Sequence, residues 1–272
     1  MSIHHLTPAF TAQSSTQEMP MLFVGHGNPM NALEENEFVA GWQQQAQSIA
    51  QPSAILCVSA HWETRGTQVT TVSYPQTIHD FGGFPRELYG VQYPAPGSPA
   101  LAAETQSLAV NANILPNENR GLDHGCWSVL KHLYPEANIP VVQLSLNYLM
   151  NPAQHYEFAK ELSALRRKGV LTIGSGNIVH NLRTLDWGNK QGGFDWAISA
   201  NNRIKELILS GNHSDLINYS AMGKEINLSI PTPEHYLPLL YILGMKNEDE
   251  EISLFNDRLL LGSLSMTSVR IG

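Results

Sequence analysis

The chain has 272 residues, 42% of them hydrophobic and only 15% charged. That composition supports a sizeable buried core and has little of the character of a solvated tail. Its 16 basic and 24 acidic residues give a formal net charge of -8 with no dense Lys/Arg run, which argues against nucleic acid as a main partner. No apolar stretch reaches the roughly 20 residues of a membrane span.

Residues 1–20 are rich in Ser, Thr and Gln and contain no Lys or Arg. They read as a loose tail without the basic region of a signal peptide. The two cysteines, Cys57 and Cys126, provide no disulfide framework, which suits a soluble protein of the reducing cytoplasm.

Four short apolar, β-branched runs are predicted strands: Met21–Val24, Ala54–Val58, Val141–Leu146 and Val170–Ile173. None alternates cleanly, the pattern of strands covered on both faces. Helices are expected between them. Leu33–Ala50 sets Phe38, Trp42, Ala46 and Ile49 on one face, and Pro99–Val110 is rich in Ala and Leu. Pro152–Arg167 starts with a proline suited to the first turn, and Trp196–Leu209 repeats apolar residues at helical spacing. Arg166, Arg167 and Lys168 would face the negative end of a helix dipole. Thr232-Pro233-Glu234 reads as a helix start with Thr as cap, and 262–271 as a final strand.

The alternation predicts a three-layer α/β/α sandwich around a mainly parallel sheet, with residues 21–272 as one catalytic domain. The irregular region from Tyr74 to Gly97 carries Phe81, Phe84, Tyr89 and Tyr93, and suits an ordered lid or pocket wall.

Three apolar runs end in histidine and small residues: Gly25-His26-Gly27, Ser59-Ala60-His61 and Gly174-Ser175-Gly176-Asn177 with His180 beyond. Ligands of open α/β sheets bind outside the carboxyl ends of strands, so parallel strands would gather His26, His61 and His180 at one edge. His235, in the expected first helical turn, joins from another direction, and His124 is a fifth candidate. A lone strand-end histidine is more often structural, and His4, His5, His132, His155 and His213 are read so. A histidine cluster without paired cysteines favours a catalytic metal centre over a structural zinc knot.

These segments, with His79-Asp80-Phe81-Gly82-Gly83-Phe84-Pro85, Asp123-His124-Gly125, Gly176–Leu182 and Pro231–Tyr236, resemble the DOPA-type group of class III extradiol ring-cleavage dioxygenases. The resemblance implies the fold of that class and one Fe(II) or Zn(II) held by His26, His61 and His235. Glu234 is the rival third ligand, because the wider superfamily uses a glutamate. It implies His180 as an acid/base histidine, close enough to the metal to act as a fourth ligand in a resting state. His124 would be a second catalytic pocket histidine. The implied substrates are O2 and a small aromatic diol, with DOPA as reference, opened by 4,5-cleavage to a muconate semialdehyde. For the amino-acid moiety of DOPA, His79, Asp80 and Arg86 are candidate binders, with Arg183 as another. Two other classes stay open: a zinc-dependent hydrolase, and a non-catalytic metal-binding relative. A monomer or small homo-oligomer is expected, bound to neither membrane nor nucleic acid.

Overall fold

In the computed structural model, which describes residues 18–272, the four expected runs lie side by side at the centre of one eight-stranded sheet. They are β1 (Met21–Gly25), β2 (Ala54–Thr64), β5 (Val141–Asn147) and β6 (Val170–Gly176). The remaining sheet strands are β3 (Gln68–Thr70), β4 (Leu115–Asn117), β7 (Ile252–Phe255) and β10 (Ser268–Ile271). The order is β4-β3-β5-β2-β6-β1-β10-β7. All three pairings within β5-β2-β6-β1 are parallel, while β3 on one side and β10 and β7 on the other run antiparallel to their inner neighbours. A separate hairpin joins β8 (Leu259–Leu260) to β9 (Leu264–Ser265). The expected final strand over 262–271 is therefore split in two.

The absence of alternation in the central runs has a direct cause: side chains on both faces are buried. Phe23, Leu56, Val58 and Leu144 point into one core with α5 (Pro152–Glu161), α6 (Asp195–Leu209) and α9 (Leu237–Gly244). Leu22, Val24, Ile55 and Cys57 point into the other with α1 (Glu37–Ser48) and α4 (His124–Leu133). The α/β sandwich with a mixed sheet follows from those two cores.

Helix ends differ from the sequence expectation where polar side chains intervene. Asn28 caps a short 3-10 turn, Pro29–Ala32, and Asn36 starts α1 by accepting from the backbone N–H groups of Phe38 and Val39. Thr232 caps no helix: its hydroxyl donates to Glu234 Oε1 at 2.8 Å, and α9 begins only at Leu237. Arg166, Arg167 and Lys168 do form the last turn of a helix, the 3-10 segment Ser163–Lys168, but Arg166 is turned inward. It is fully buried, donating to the carbonyls of Met19 and Met245 and pairing with Glu250 and Glu18. Of the expected tail, residues 1–17, with His4 and His5, lie outside the described residues. Met19 is buried and its N–H donates to the carbonyl of Arg166 at 3.1 Å.

Candidate metal centre

The register of the central strands brings the expected histidines together. Gly25 pairs with Gly176 and Ser59 with Ser175, so β1 and β6 end beside Ser59 while β2 runs on to Thr64. The N–H of His26 then donates to the carbonyl of Gly176 at 3.1 Å. His61 lies within β2 and not past its end, because the strand continues through an irregularity between Val58 and Glu63. The turn carrying His235 is held on β6 by a bond from the N–H of Asn177 to the carbonyl of His235 at 2.8 Å. Only glycine at 176 permits this approach, since a Cβ there would overlap that carbonyl oxygen. Gly27, at φ +61°, turns the chain after His26. His124 arrives as the first residue of α4, capped by Asp123, a helix the sequence reading did not identify.

The rings of His26, His61 and His235 stand 5.0–5.4 Å apart, centroid to centroid. His124 lies 3.9 Å from His61, and His180 stacks on His235 at 3.4 Å. Potential donor atoms of His26, His61 and His124 all fall within 4.8 Å of one another, as do those of His180, Glu234 and His235. The five histidines of the two sets, but not Glu234, border one cavity of about 320 Å³. The three expected ligands are thus close together, but two adjoining donor sets share the pit.

Hydrogen bonds assign the tautomers. Ser175 Oγ donates to the carbonyl of Gly125 at 2.5 Å, so it accepts from His26 Nδ1 at 3.0 Å. His235 Nδ1 donates to Glu234 Oε1 at 3.0 Å. His124 Nδ1 donates to Asp80 Oδ1 at 3.0 Å, and the same oxygen accepts from the His124 backbone N–H. In a neutral ring each of these bonds leaves Nε2 as an unprotonated acceptor. His26 Nε2 faces His61 Nε2 at 3.1 Å, and His235 Nε2 is buried without a hydrogen-bond partner. Inward lone pairs with outward N–H groups anchored are the wiring of metal-ligating imidazoles. The donor set therefore fits a divalent metal.

Electrostatics keep the rings neutral. Burial, then the neighbouring imidazoles, hold His26 and His235 well below the ordinary histidine range. Burial, followed by repulsion from His124, lowers His61 to about 4, and burial lowers His180 to about 4 against the pull of Glu234. For Asp80 burial acts upward, but its bonds to His124 prevail and bring it to about 2.

The cavity wall includes Phe81, Phe84, Leu182, Leu185 and Trp187, the first two from the aromatic loop. His79, Asp80, Arg86 and Arg183 are not among the lining residues. His79 Nε2 donates to the carbonyl of Val91 at 2.9 Å, and Arg86 is exposed at the start of α2 (Arg86–Tyr89). Sequence reasoning missed the partnership of Asp80 with His124 and of Ser175 with His26; their adjacency to histidine segments was the only signal. Of the histidines read as structural, His132 bonds the carbonyl of Asn31, His155 the Tyr241 hydroxyl and His213 the Tyr156 hydroxyl.

A family model described as the catalytic LigB subunit of aromatic ring-opening dioxygenase matches residues 19–261. The chain is 48% identical over 262 residues to "4,5-DOPA dioxygenase extradiol" of Escherichia coli K12, covering 95% of this chain and 96% of that one. It is 35% identical to the protein of the same name from Beta vulgaris, with 86% and 90% covered. A crystal structure of an uncharacterised Escherichia coli K12 protein superposes with a TM-score of 0.82 at 42% identity, covering 93% of this chain and all of that one. A histidine pit at the carboxyl edge of this sheet and a match over most of the chain lead to one assignment: the chain belongs to the LigB family of aromatic ring-opening dioxygenases.

Proposed function

We propose that this protein opens a catechol ring beside its diol, inserting both atoms of O2, with DOPA as reference substrate and a muconate semialdehyde as product. The observation that carries the reading is the set of inward-facing imidazoles under an apolar cavity. The shared name of the Escherichia coli and Beta vulgaris relatives supports it.

His26, His61 and His235 would hold one Fe(II) or Zn(II), with His180 near enough to act as a fourth ligand and Glu234 anchoring His235. When bound, the metal supplies Lewis-acid stabilisation and an electron path between ring and oxygen. The chain supplies binding and proton transfer. His124 Nε2, left as acceptor by the Asp80 bond, can take a proton from a catechol hydroxyl and return it later. His180, neutral because burial lowers it to about 4, is the main acid/base group, with His124 as the second. Phe81 and Phe84 meet edge to face, their rings 5.4 Å apart, and with Leu264 they would flank the aromatic ring and exclude water.

No helix among the described residues is long and apolar enough to cross a membrane. We take residues 21–272 as one catalytic domain acting in the cytoplasm, as a monomer or small homo-oligomer.

The test is anaerobic reconstitution with Fe(II), addition of DOPA or catechol, and admission of O2. One O2 consumed per ring, with both atoms in the product, is expected. No uptake with Fe(II), together with ester hydrolysis by the Zn(II) form, would replace the reading with a hydrolase.

A further inference from the structure

The three ligands proposed for the metal are not held in the same way. His26 and His235 are anchored through their rings, each Nδ1 bonded to Ser175 Oγ or Glu234 Oε1 respectively. Among the described residues, Nδ1 of His61 has no such anchor, and its ring makes one hydrogen-bond contact, between Nε2 and His26 Nε2. The main chain at His61 is equally short of strand partners. Residues 60–62 are in register with neither β5 nor β6, because pairing jumps from Val58 with Leu144 to Glu63 with Leu146 on one side and stops at Ser59 with Ser175 on the other. We propose that His61 is positioned through its peptide groups instead, by Ser59 at its N–H and by Arg120 at its carbonyl, which makes Arg120 a positioning residue of the metal centre. This rests on the reading of His61 as a ligand and adds a residue that lies outside the cavity lining.

Side chains stand in for the missing ladder. Ser59 Oγ accepts from the His61 N–H at 3.2 Å and donates to Asp123 Oδ1 at 2.7 Å. Arg120 Nη2 donates to the His61 carbonyl at 3.1 Å and to Asp123 Oδ2 at 3.3 Å. One carboxylate thus ties the two ends of the clamp together. Asp123 is fully buried and is itself fixed, since Oδ1 also accepts from the N–H of Cys126 and Oδ2 from Gln143 Nε2 at 2.8 Å. The guanidinium lies over the Trp62 ring, 5.4 Å from its centroid, and the Arg120 N–H donates to Asn117 Oδ1 at 2.8 Å. Peptide groups without strand partners inside a protein require such substitutes, and bonds from a charged donor are the stronger kind. The His61 ring is then seated on the first turn of α4: a Cβ on Gly125 would fall 2.8 Å from His61 Cδ2 and 2.6 Å from Ser59 Oγ. Without the Arg120 bond the peptide is free to tilt, and the ring loses the direction that the ring-anchored histidines keep. Partners that orient a ligand in this way typically carry about 10–100-fold in metal affinity.

The experiment uses the full chain stripped of metal. It measures Kd for Zn(II) and Co(II) by competition with a chromogenic chelator, the visible spectrum of the Co(II) form, and the denaturant midpoint of the apoprotein. Arg120→Met keeps an aliphatic stem against Trp62 and removes the donors. It should weaken binding of both metals about 10–100-fold and shift the Co(II) bands. Ser59→Ala, which releases the other end of the clamp, should act in the same direction, and His61→Ala should lose more affinity than either. Wild-type Kd values and an unchanged Co(II) spectrum in folded Arg120→Met would overturn the proposal, even with a lowered denaturant midpoint, because that combination is what a purely structural ion pair gives. If Arg120→Met does not fold, Ser59→Ala decides by the same two readouts. Metal loss in His61→Ala that spares both clamp variants would overturn the clamp and leave the ligand reading standing. Wild-type metal affinity in His61→Ala would overturn the ligand reading, and the clamp with it.

Discussion

Asp80→Ala isolates the link between the aromatic loop and His124, one of the two histidines proposed to transfer protons. One oxygen, Oδ1, accepts from both the backbone N–H and Nδ1 of His124, at 2.9 and 3.0 Å. Deleting it frees the ring to rotate and to move its proton to Nε2, where it can no longer accept. A hydrogen bond to a charged group contributes about 1.5–3 kcal/mol. The Asp80 side chain is 20% exposed, so the lower part of that range applies. At about 1.4 kcal/mol per tenfold, kcat should fall some 10–40-fold. KM should change by no more than about threefold, because the diol and the cavity wall keep their contacts. Asp80→Asn should retain most activity, since an amide oxygen can accept both bonds. Initial rates of O2 uptake over a range of catechol concentrations measure both constants. An unchanged kcat in Asp80→Ala would refute the reasoning. A loss in Asn as large as in Ala would show that charge, not ring orientation, is what Asp80 contributes.

His235→Ala should strip most metal while His124→Ala retains it, read by elemental analysis of folded protein; the reverse result would move the centre to the His26–His61–His124 set. Gly176→Ala forces a Cβ onto the His235 carbonyl, so metal content and activity should drop together; normal metal binding would deny the close approach its role. Burial lowers His155 to about 4. Since the folded value lies below the unfolded one, its contribution is full above about pH 6.5 and is lost as pH falls toward 4, by up to about 1.4 kcal/mol per pH unit. Melting temperature against pH should be less steep in His155→Gln, and equal steepness would exclude it as a source. Arg166→Ala removes the buried guanidinium from Glu250 and from two carbonyls; denaturant titration should show a loss of about 3–5 kcal/mol, and a loss below about 1 kcal/mol would mean water replaces the guanidinium.

The central sheet was legible because strands buried on both faces leave apolar runs such as Ala54–Val58, and their parallel pairing gathered His26, His61 and His180 as expected. The outer strands were not. Gln68–Thr70 and Leu115–Asn117 are three residues each and owe their conformation to neighbours. The helix α4 escaped notice for the opposite reason: all but one of its ten residues are buried, so it has no polar face. Its N-terminal signal was Asp123, an N-cap accepting from the N–H of Cys126 at 3.1 Å. At 232–236 the capping signal was present but local chemistry diverted it, since the Thr232 hydroxyl is taken by the Glu234 carboxylate. The charged loop residues misled because sequence proximity to an aromatic wall does not say which way a side chain faces.

The anchoring of the imidazoles explains why one pit suits both partners of the reaction. Ser175 on β6, Glu234 in the turn before α9 and Asp80 in the aromatic loop each receive an Nδ1–H, so three separate elements fix inward acceptors. Burial and mutual repulsion then oppose protonation of His26 and His235. A cluster of lone pairs with little water is unfavourable unless something electron-poor enters it. A divalent cation satisfies the deepest nitrogens, and the hydroxyl protons of a diol can satisfy those left over. The wiring that favours a metal also favours a catechol, and it does so through orientation of neutral rings, with no formal charge placed in the cavity wall.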